Sequence, residues 1–301
     1  TAEGLVRAGI GKLTIVDSDY VEWSNLQRQQ LYCEDDAQKR IPKAVAAKNR
    51  LNALNSDVIV KSLVADVSVD ELAKLVEGVD LILDATDNFD TRMLINDTAQ
   101  KYKIPWIYGA CVGSYGISYT VIPETTPCLN CLLETVPIGG LTCDTAGIIS
   151  PAVQTVVAHQ MAEALKILVE DHESLRNKIV SFDLWKNEHS SINVAKLKKD
   201  TCLSCGSNRT YPHLSYSNRT KTAVLCGRDS VQIRPAMKVE RDLAELENNL
   251  IAQGGKIDRN PYLLSFTIGA HRLVVFKDGR ALIHGTKDIA EAKTLYHRYF
   301  G

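Results

Sequence analysis

The sequence lacks an excess of charge of either sign. Its 35 Lys and Arg residues are balanced by 36 Asp and Glu residues, so the formal net charge is -1. Without a basic surplus, the chain has no electrostatic footprint for nucleic acid or for an acidic membrane surface. We therefore expect no nucleic-acid partner and no membrane partner.

The sequence also lacks an unbroken apolar run of the length that crosses a bilayer, about 20 residues. Its most apolar helical segment, Val153 to Val169, is interrupted by the polar residues Gln154, His159, Gln160, Glu163 and Lys166. A buried or interface helix fits this segment better. No secretory signal is visible at the start of the sequence, and we expect a cytoplasmic protein.

Internal repeats and low-complexity segments are absent from the sequence as well. A chain of 301 residues can bury one sizeable core and support a second, smaller domain. The polar segment Ser207 to Lys221 marks the expected boundary between the two. We predict a first domain at residues 1–206 and a small α+β domain at residues 221–301.

Short apolar runs alternate with helical patterns in the first domain. Strands are predicted at Lys12–Asp17, Val58–Val64, Asp80–Ala85 and Trp106–Cys111, and helices at Pro42–Leu54, Val69–Val76 and Phe89–Tyr102. This alternation predicts right-handed βαβ units and a parallel sheet. After Val112 we predict strands that can pair antiparallel, at Ser118–Ile122, Ile179–Trp185 and Ser191–Leu197. A long helix is predicted at Ser150–Glu170.

Eight cysteines are present, and two pairs of them have Cys-x-x-Cys spacing. In a chain of this size without a secretory signal, metal binding or catalysis is favoured over a disulfide framework. Two residues between cysteines let one turn present both sulfurs to one ion, and two such turns complete a tetrahedral Zn²⁺ site. The four candidate ligands are Cys128, Cys131, Cys202 and Cys205. Iron–sulfur binding and a redox dithiol remain alternatives.

Asp17 ends a predicted buried strand, which is where open α/β sheets bind their ligands. An acid at such a strand end commonly binds a ribose diol, although a solvated strand-end carboxylate is the alternative. The run from Asp17 to Gln29 is rich in amide, hydroxyl and guanidinium groups, and Arg28 can clamp a phosphate. A polar loop that merely covers the sheet is the other interpretation of this run.

Several separate motifs occur in order along the chain: Ser24-Asn25-Leu26-Gln27-Arg28-Gln29, Pro42-Lys43, Thr86-Asp87-Asn88, both cysteine pairs, and Thr142-Cys143-Asp144-Thr145-Ala146-Gly147. Together they resemble the ThiF/MoeB/HesA family, the bacterial relatives of ubiquitin-activating enzymes. The resemblance covers roughly residues 1–206. It implies an α/β, Rossmann-like fold: a mostly parallel sheet with helices on both faces, with an antiparallel extension and a small C-terminal α+β module outside the shared region.

The resemblance also implies a set of ligands and partners. ATP would be held by Asp17 at the ribose and by Asn25, Gln27, Arg28 and Lys43 at the phosphates, with Ser24 and Asn88 lining the site. Asp87 would bind Mg²⁺, and the four cysteines a structural Zn²⁺. The partner would be a ubiquitin-like sulfur-carrier protein with a C-terminal Gly-Gly, for thiamine or molybdopterin biosynthesis, and the enzyme would be a homodimer.

The chemistry of adenylylation suits these residues. A carboxylate that attacks the α-phosphorus of ATP is already ionised at pH 7, so the reaction needs charge neutralisation and in-line positioning rather than a general base. Arg28 and Lys43 supply positive charge, and Asp87 can hold Mg²⁺. A hydride-transfer site would not need them.

Cys143 lies in a Gly- and Thr-rich segment that is typical of an exposed loop. In the family, a cysteine at this place can form a covalent link with the carrier protein. ThiF-like members use it in sulfur transfer, whereas adenylation by MoeB-like members does not need it. The Thr-Ala-Gly that follows Asp144 favours the ThiF-like interpretation, and a loop cysteine without chemistry is the alternative. The predicted catalytic residues are Cys143, Arg28 and Lys43.

One family element is not found in the sequence. The Gly-x-Gly-x-x-Gly loop and the strand before it would precede Thr1, and we expect a truncated sequence rather than a lost nucleotide cradle. If the loop were lost, the alternative interpretation as a non-catalytic adaptor for a ubiquitin-like protein would be favoured. A nicotinamide-dependent oxidoreductase also fits Asp17 and the strand–helix alternation. Arg92, four residues after Asn88, could face the same pocket or be an exposed helix residue.

Overall fold

The structure, a computed structural model, describes residues 1–67, 69–133, 147–215, 222–224, 229–234 and 240–300. Contacts divide the chain into two compact units. The first consists of Thr1–Gln38 and Pro42–Asn218, and the second of Lys39–Ile41 and Arg219–Gly301.

The first unit alternates strands and helices along the chain. Its strands are β1 (Lys12–Asp17), β2 (Ile59–Val64), β3 (Ile82–Leu83), β4 (Trp106–Val112), β5 (Tyr115–Val121), β6 (Lys178–Asp183) and β7 (Glu188–Asn193). Its helices are α1 (Ala2–Arg7), α2 (Glu34–Gln38), α3 (Lys43–Leu54), α4 (Val69–Leu75), α5 (Phe89–Tyr102), α6 (Leu129–Leu133) and α7 (Ser150–Leu168). Short 3₁₀ helices lie at Trp23–Asn25, Ala195–Leu197 and Pro212–Leu214.

Strand pairing in this unit is parallel first and antiparallel later. β1 pairs parallel with β2, and β3 pairs parallel with β4. β1 and β2 form a two-stranded sheet, whereas β3 belongs to a five-stranded sheet that continues antiparallel in the order β4-β5-β6-β7. The predicted α/β class with an antiparallel extension is therefore confirmed.

β3 is shorter than the predicted strand Asp80–Ala85. Beyond Leu83 the amide of Asp84 still donates to the carbonyl of Ile107 at 3.0 Å. The side chain of Asp84 then accepts from the amide of Thr86 at 2.8 Å, which turns the chain out of the ladder. This turn leads directly into α5.

Helix α7 packs closely on β4 and β5. A Cβ at Gly109 would lie 2.4 Å from Nε2 of Gln160, and one at Gly116 would lie 2.8 Å from a methyl group of Val156. Glycine at these two positions therefore lets the helix approach the sheet, and Gln160 reaches the backbone of β4. No helix in the described ranges is both long and apolar enough to cross a bilayer.

The second unit contains an antiparallel sheet of strand order β10-β11-β12-β13-β9-β8. The bounds are β8 (Thr222–Val224), β9 (Ser230–Ile233), β10 (Lys256–Arg259), β11 (Leu263–Ile268), β12 (His271–Phe276) and β13 (Ala281–His284), with α8 (Leu243–Ile251) and α9 (Ile289–Phe300). Both helices contribute to one core with the sheet, which includes Leu250, Phe266 and Phe300. Strand β10 carries little apolar signal, since Ile257 is surrounded by charged residues, and the sequence patterns do not predict it.

Candidate functional site

The carboxyl end of β1 is joined to the start of α3 through Asp19. The amide of Asp19 donates to Oδ1 of Asp17 at 2.8 Å, which closes a turn directly after the strand. The amide of Lys43 donates to the carbonyl of Asp19 at 2.9 Å, and Nζ of Lys43 lies 2.9 Å from Oδ2 of Asp19. The sequence-predicted residues Asp17 and Lys43 therefore lie at the same edge of the sheet.

The electrostatic environment of Asp17 links it to residues from other elements. Burial raises the pKa of Asp17 above its ordinary value of 3.8, and repulsion from Asp19 and Asp87 adds to the rise. The charge of Lys43 acts in the opposite direction. Asp87, which follows β3, thus interacts with Asp17 at the end of β1.

Asn25 closes the 3₁₀ helix at Trp23–Asn25 and is almost fully buried. Its Oδ1 accepts from the amide of Glu22 at 3.1 Å, as in a capping box. Its Nδ2 is buried and has no hydrogen-bond partner among the described residues. A buried N–H without a partner carries a desolvation cost, which an accepting ligand oxygen would relieve.

Ser24, Gln27 and Arg28 lie on the segment that surrounds Asn25. Nη1 of Arg28 donates to the carbonyl of Ser24 at 3.0 Å, and Nε2 of Gln27 lies 3.4 Å from the carbonyl of Ile148. These contacts hold Arg28 against its own segment and join Gln27 to the chain just before α7. The side chains of Ser24 and Gln27 are exposed.

The turn between β3 and α5 carries Asp87 and Asn88. Oδ1 of Asn88 accepts from the amides of Asp90 and Thr91 at 2.8 and 3.2 Å, so this side chain caps α5. Asp87 is exposed. The structure therefore gives the predicted ligand Asn88 a helix-capping contact and leaves the Asp87 carboxylate accessible.

Arg92 is not an exposed helix residue, because its side chain is only 12% exposed and is paired with a buried carboxylate. Its Nε lies 3.0 Å from Oδ2 of Asp84, and its Nη2 donates to the carbonyl of Thr86. The sequence patterns do not single out Asp84. Its one signal is that it is an acid at the end of a predicted buried strand, as Asp17 is.

Asp17, Lys43 and Asp87 interact near the carboxyl ends of β1 and β3, and Asn25 and Arg28 lie on the segment between β1 and α3. Lys43 and Arg28 carry positive charge, Asp17 and Asp87 carry negative charge, and Asn25 offers a buried donor. Cations and N–H donors suit a polyphosphate, and exposed carboxylate oxygens suit Mg²⁺. The donor set therefore fits a nucleotide with its divalent cation.

The four cysteines of the two Cys-x-x-Cys pairs come together as one cluster. All their Sγ atoms lie within 4.8 Å of one another, and all four residues are buried. The Sγ–Sγ distances are 4.0 Å for Cys128–Cys131, 3.7 Å for Cys128–Cys202 and 3.5 Å for Cys131–Cys205. A tetrahedron with Zn–S bonds of ~2.3 Å has edges of ~3.8 Å, so the cluster fits one tetrahedral metal ion.

The chain after the second cysteine pair is attached to the unit near this cluster. The amides of Thr210 and Tyr211 donate to the carbonyl of Leu203 at 2.9 and 3.1 Å. The amide of His213 donates to the buried carboxylate of Asp97 on α5 at 2.8 Å. The bond from His213 joins this segment to α5.

The predicted catalytic residue Cys143 lies outside the described residues. Two other single cysteines are described. Cys33 is exposed and donates to the carboxylate of Asp36 at 3.3 Å, and Cys111 is half-buried.

The first unit matches the model of the ThiF family, over residues 1–204. Over all 301 residues the chain is 55% identical to "Sulfur carrier protein ThiS adenylyltransferase" of Bacillus subtilis, of which 89% is covered. It is 32% identical over 203 residues to "Molybdopterin-synthase adenylyltransferase" of Salmonella typhimurium. The matched region is 67% of this chain and 80% of that protein. The likeness to the Bacillus subtilis protein thus includes the second unit.

Solved structures show the same fold at lower sequence identity. A crystal structure of Escherichia coli MccB with ATP superposes with a TM-score of 0.57 at 22% identity, over 68% of this chain and 62% of that chain. The succinimide complex of MccB gives a TM-score of 0.58 at 23% identity, with the same coverage. At this identity the likeness supports the fold alone.

Proposed function

Because this chain belongs to the ThiF family, we propose that it adenylylates the C-terminal glycine of a ubiquitin-like sulfur-carrier protein of the ThiS type, with ATP as the second substrate. The observation that carries the proposal is the 55% identity, over the whole chain, to a protein named as a ThiS adenylyltransferase. Since that identity covers both units, a thiamine-type carrier is favoured over a molybdopterin-type carrier.

In this proposal the residues at the carboxyl ends of β1 and β3 bind the nucleotide. Asp17 holds the ribose diol, and Asn25, Gln27, Arg28 and Lys43 contact the phosphates, while Ser24 and Asn88 line the site. The buried Nδ2 of Asn25 supports this role, because a phosphate oxygen would satisfy it. Lys43 already carries one carboxylate contact, so it would share its three N–H donors between Asp19 and the phosphates.

The reaction itself requires little covalent chemistry from the protein. The carboxylate of the carrier glycine attacks the α-phosphorus, the bond to the pyrophosphate oxygen breaks, and pyrophosphate leaves. Arg28 and Lys43 stabilise the charge that builds up on the phosphates. Asp87 would hold Mg²⁺, which neutralises phosphate charge when bound.

The cysteine cluster is proposed as a structural Zn²⁺ site. Its four thiolates leave no open coordination position, as in structural rather than catalytic zinc sites. The sulfur separations support a single ion. Residues 1–206 would thus form the adenylylation domain with its zinc, and residues 221–301 a separate small domain.

The proposed assembly is a cytoplasmic homodimer. Helix α7 supports it, because Leu165 and Leu168 are each 38% exposed and Val169 next to its end is 71% exposed. Apolar side chains at one helix end are suited to burial against a second copy. Light scattering on the purified protein gives the mass that tests this.

ATP–pyrophosphate exchange tests the function directly. Purified protein, ATP, Mg²⁺ and a ThiS-type carrier should exchange labelled pyrophosphate into ATP, and the same carrier without its C-terminal glycine should give only background. A molybdopterin-type carrier is expected to work less well. Carrier binding without any exchange would favour the non-catalytic adaptor and defeat the proposal. A nicotinamide-dependent oxidoreductase would show neither result.

A further inference from the structure

Asp84 is a buried carboxylate directly after β3, and both of its oxygens are engaged. Oδ1 accepts from the amide of Thr86 at 2.8 Å and from its hydroxyl at 2.7 Å, and Oδ2 lies 3.0 Å from Nε of Arg92. Its main chain is fixed too, by the carbonyl of Ile107 at 3.0 Å and by Nε2 of Gln160 at 2.7 Å. A buried polar group is stable when all its hydrogen-bonding atoms have partners, so Asp84 is a fixed point of the fold.

The guanidinium of Arg92 connects three elements. It belongs to α5, it is paired with Asp84 after β3, and Nη2 lies 3.3 Å from the carbonyl of Gly109 on β4. Its centre also lies 5.3 Å from the ring centroid of Tyr108, which is within cation–π range. A planar fork with five donors can satisfy this set of contacts, whereas the single ammonium of lysine cannot.

The same two residues hold Thr86 from both sides. Asp84 accepts from the amide and hydroxyl of Thr86, and Arg92 donates to its carbonyl. Thr86 is the residue immediately before Asp87, whose exposed carboxylate is the proposed Mg²⁺ ligand. The peptide bond that leads into Asp87 is therefore fixed by the side chains of Asp84 and Arg92.

We propose that Asp84 and Arg92 form a positioning pair, which fixes the turn at residues 84–88 so that the Asp87 carboxylate meets the metal–nucleotide complex. This inference rests on the proposed function for the identity of that complex. The guanidinium of Arg92 is paired with the carboxylate of Asp84. The Asp87 carboxylate stays exposed and accessible to a cation.

The test measures metal binding without turnover. Electron paramagnetic resonance of free Mn²⁺, titrated with protein and a non-hydrolysable ATP analogue, gives the affinity of the ternary complex. Residues that orient a metal ligand typically change metal affinity about 10- to 100-fold. We expect Arg92→Gln to weaken Mn²⁺ binding by at least about 10-fold, and Arg92→Lys to recover little of the loss although it keeps the charge.

Two further variants separate positioning from folding. Thr86→Val removes only the hydroxyl bond to Asp84 and should weaken Mn²⁺ binding by a smaller factor with little change in Tm. Arg50→Gln alters an exposed arginine on α3 and should leave Mn²⁺ binding unchanged. If Arg92→Gln unfolds, the Mn²⁺ affinity of Thr86→Val tests the positioning pair instead.

The outcomes distinguish this inference from the proposed function. Mn²⁺ affinity within twofold of wild type in folded Arg92→Gln, or in Thr86→Val if Arg92→Gln unfolds, overturns the positioning pair, even if exchange with the carrier confirms the function. Full recovery in Arg92→Lys overturns it as well, since charge alone would then suffice. Loss of Mn²⁺ affinity in Arg92→Gln supports the pair even if the wild type activates no carrier.

Discussion

Lys43 is joined to Asp19 twice, by its side chain and by its main chain. Nζ lies 2.9 Å from Oδ2 of Asp19, and the amide donates to the Asp19 carbonyl at the same distance. A side-chain substitution removes only the first contact. The start of α3 can therefore stay attached to the end of β1 while the positive charge is removed.

Lys43→Gln should accordingly lose catalysis much more than stability. A cation that stabilises transition-state charge is worth about 10²- to 10³-fold in rate, so we expect pyrophosphate exchange to fall by that factor while Tm changes by a few degrees. Lys48→Gln, on the same helix, is the matched control and should retain exchange. A Lys43→Gln protein with wild-type exchange would remove Lys43 from the site.

Asp87→Ala and Arg28→Ala should each reduce adenylate formation at least about 100-fold, because each removes a charged group from the transition state. The two variants should differ in their response to Mg²⁺. Excess Mg²⁺ should partly restore Asp87→Ala, which has lost a metal ligand, but not Arg28→Ala. Exchange assays over a Mg²⁺ series measure both effects, and near-wild-type exchange in either variant would contradict the assignment.

The sequence predicts some of these relationships and not others, for a physical reason. Asp17 ends one predicted strand and Asp87 follows another, and the ends of parallel strands meet at one edge, so their proximity can be expected from the order of the elements. Asp84 and Arg92 lie eight residues apart across a turn. No strand or helix period brings their side chains together, and the pair becomes evident only when the turn is built.

The cysteine cluster is also only partly predictable from the sequence. Two matched pairs predict one site with four cysteine ligands, but not which elements bring the pairs together, since Cys128 and Cys202 are 74 residues apart. The fold brings the sulfurs together by placing α6 and the turn after β7 side by side.

Short elements with little apolar signal, such as β10, are missed because tertiary packing rather than local pattern stabilises them.

Cys202→Ser should release the metal and lower the free energy of unfolding by several kcal/mol, because binding of structural zinc is coupled to folding. Metal analysis should give one zinc per chain in the wild type and much less in the variant, with a lower Tm. Cys33→Ser, at an exposed cysteine outside the cluster, is the control and should retain its zinc. Iron, or no metal in freshly reduced wild-type protein, would count against the zinc site.

The raised pKa of Asp17 predicts opposite pH trends for stability and for nucleotide binding. The folded state holds this proton more tightly than the unfolded chain. The contribution of Asp17 to stability is therefore present below pH 3.8 and is lost as the pH rises through the raised folded pKa. The ribose diol instead needs the ionised carboxylate as acceptor, so affinity for ATP should fall as the pH is lowered through that pKa.

ATP titrations over a pH series check this second trend. The ATP dissociation constant of the wild type should rise as the pH falls through the Asp17 pKa, and Asp17→Asn should lack that limb of the profile. Lys43→Gln removes a charge that lowers the Asp17 pKa, so its limb should move to higher pH. An unchanged limb in Asp17→Asn would assign the titration to another group.

The role of Cys143 remains a prediction from the sequence. Substitution of this residue would distinguish activation of the carrier from transfer of sulfur to it. Adenylylation needs ATP, Mg²⁺ and the carboxylate of the carrier, none of which calls for a thiol. A covalent intermediate needs a nucleophile near the acyl-adenylate, and a thiolate is the strongest side-chain candidate. We expect Cys143→Ala to keep pyrophosphate exchange and to abolish any covalent enzyme–carrier species in non-reducing mass spectrometry. An adduct that persists in Cys143→Ala would place the nucleophile elsewhere, and a wild type without any adduct would favour the MoeB-like chemistry.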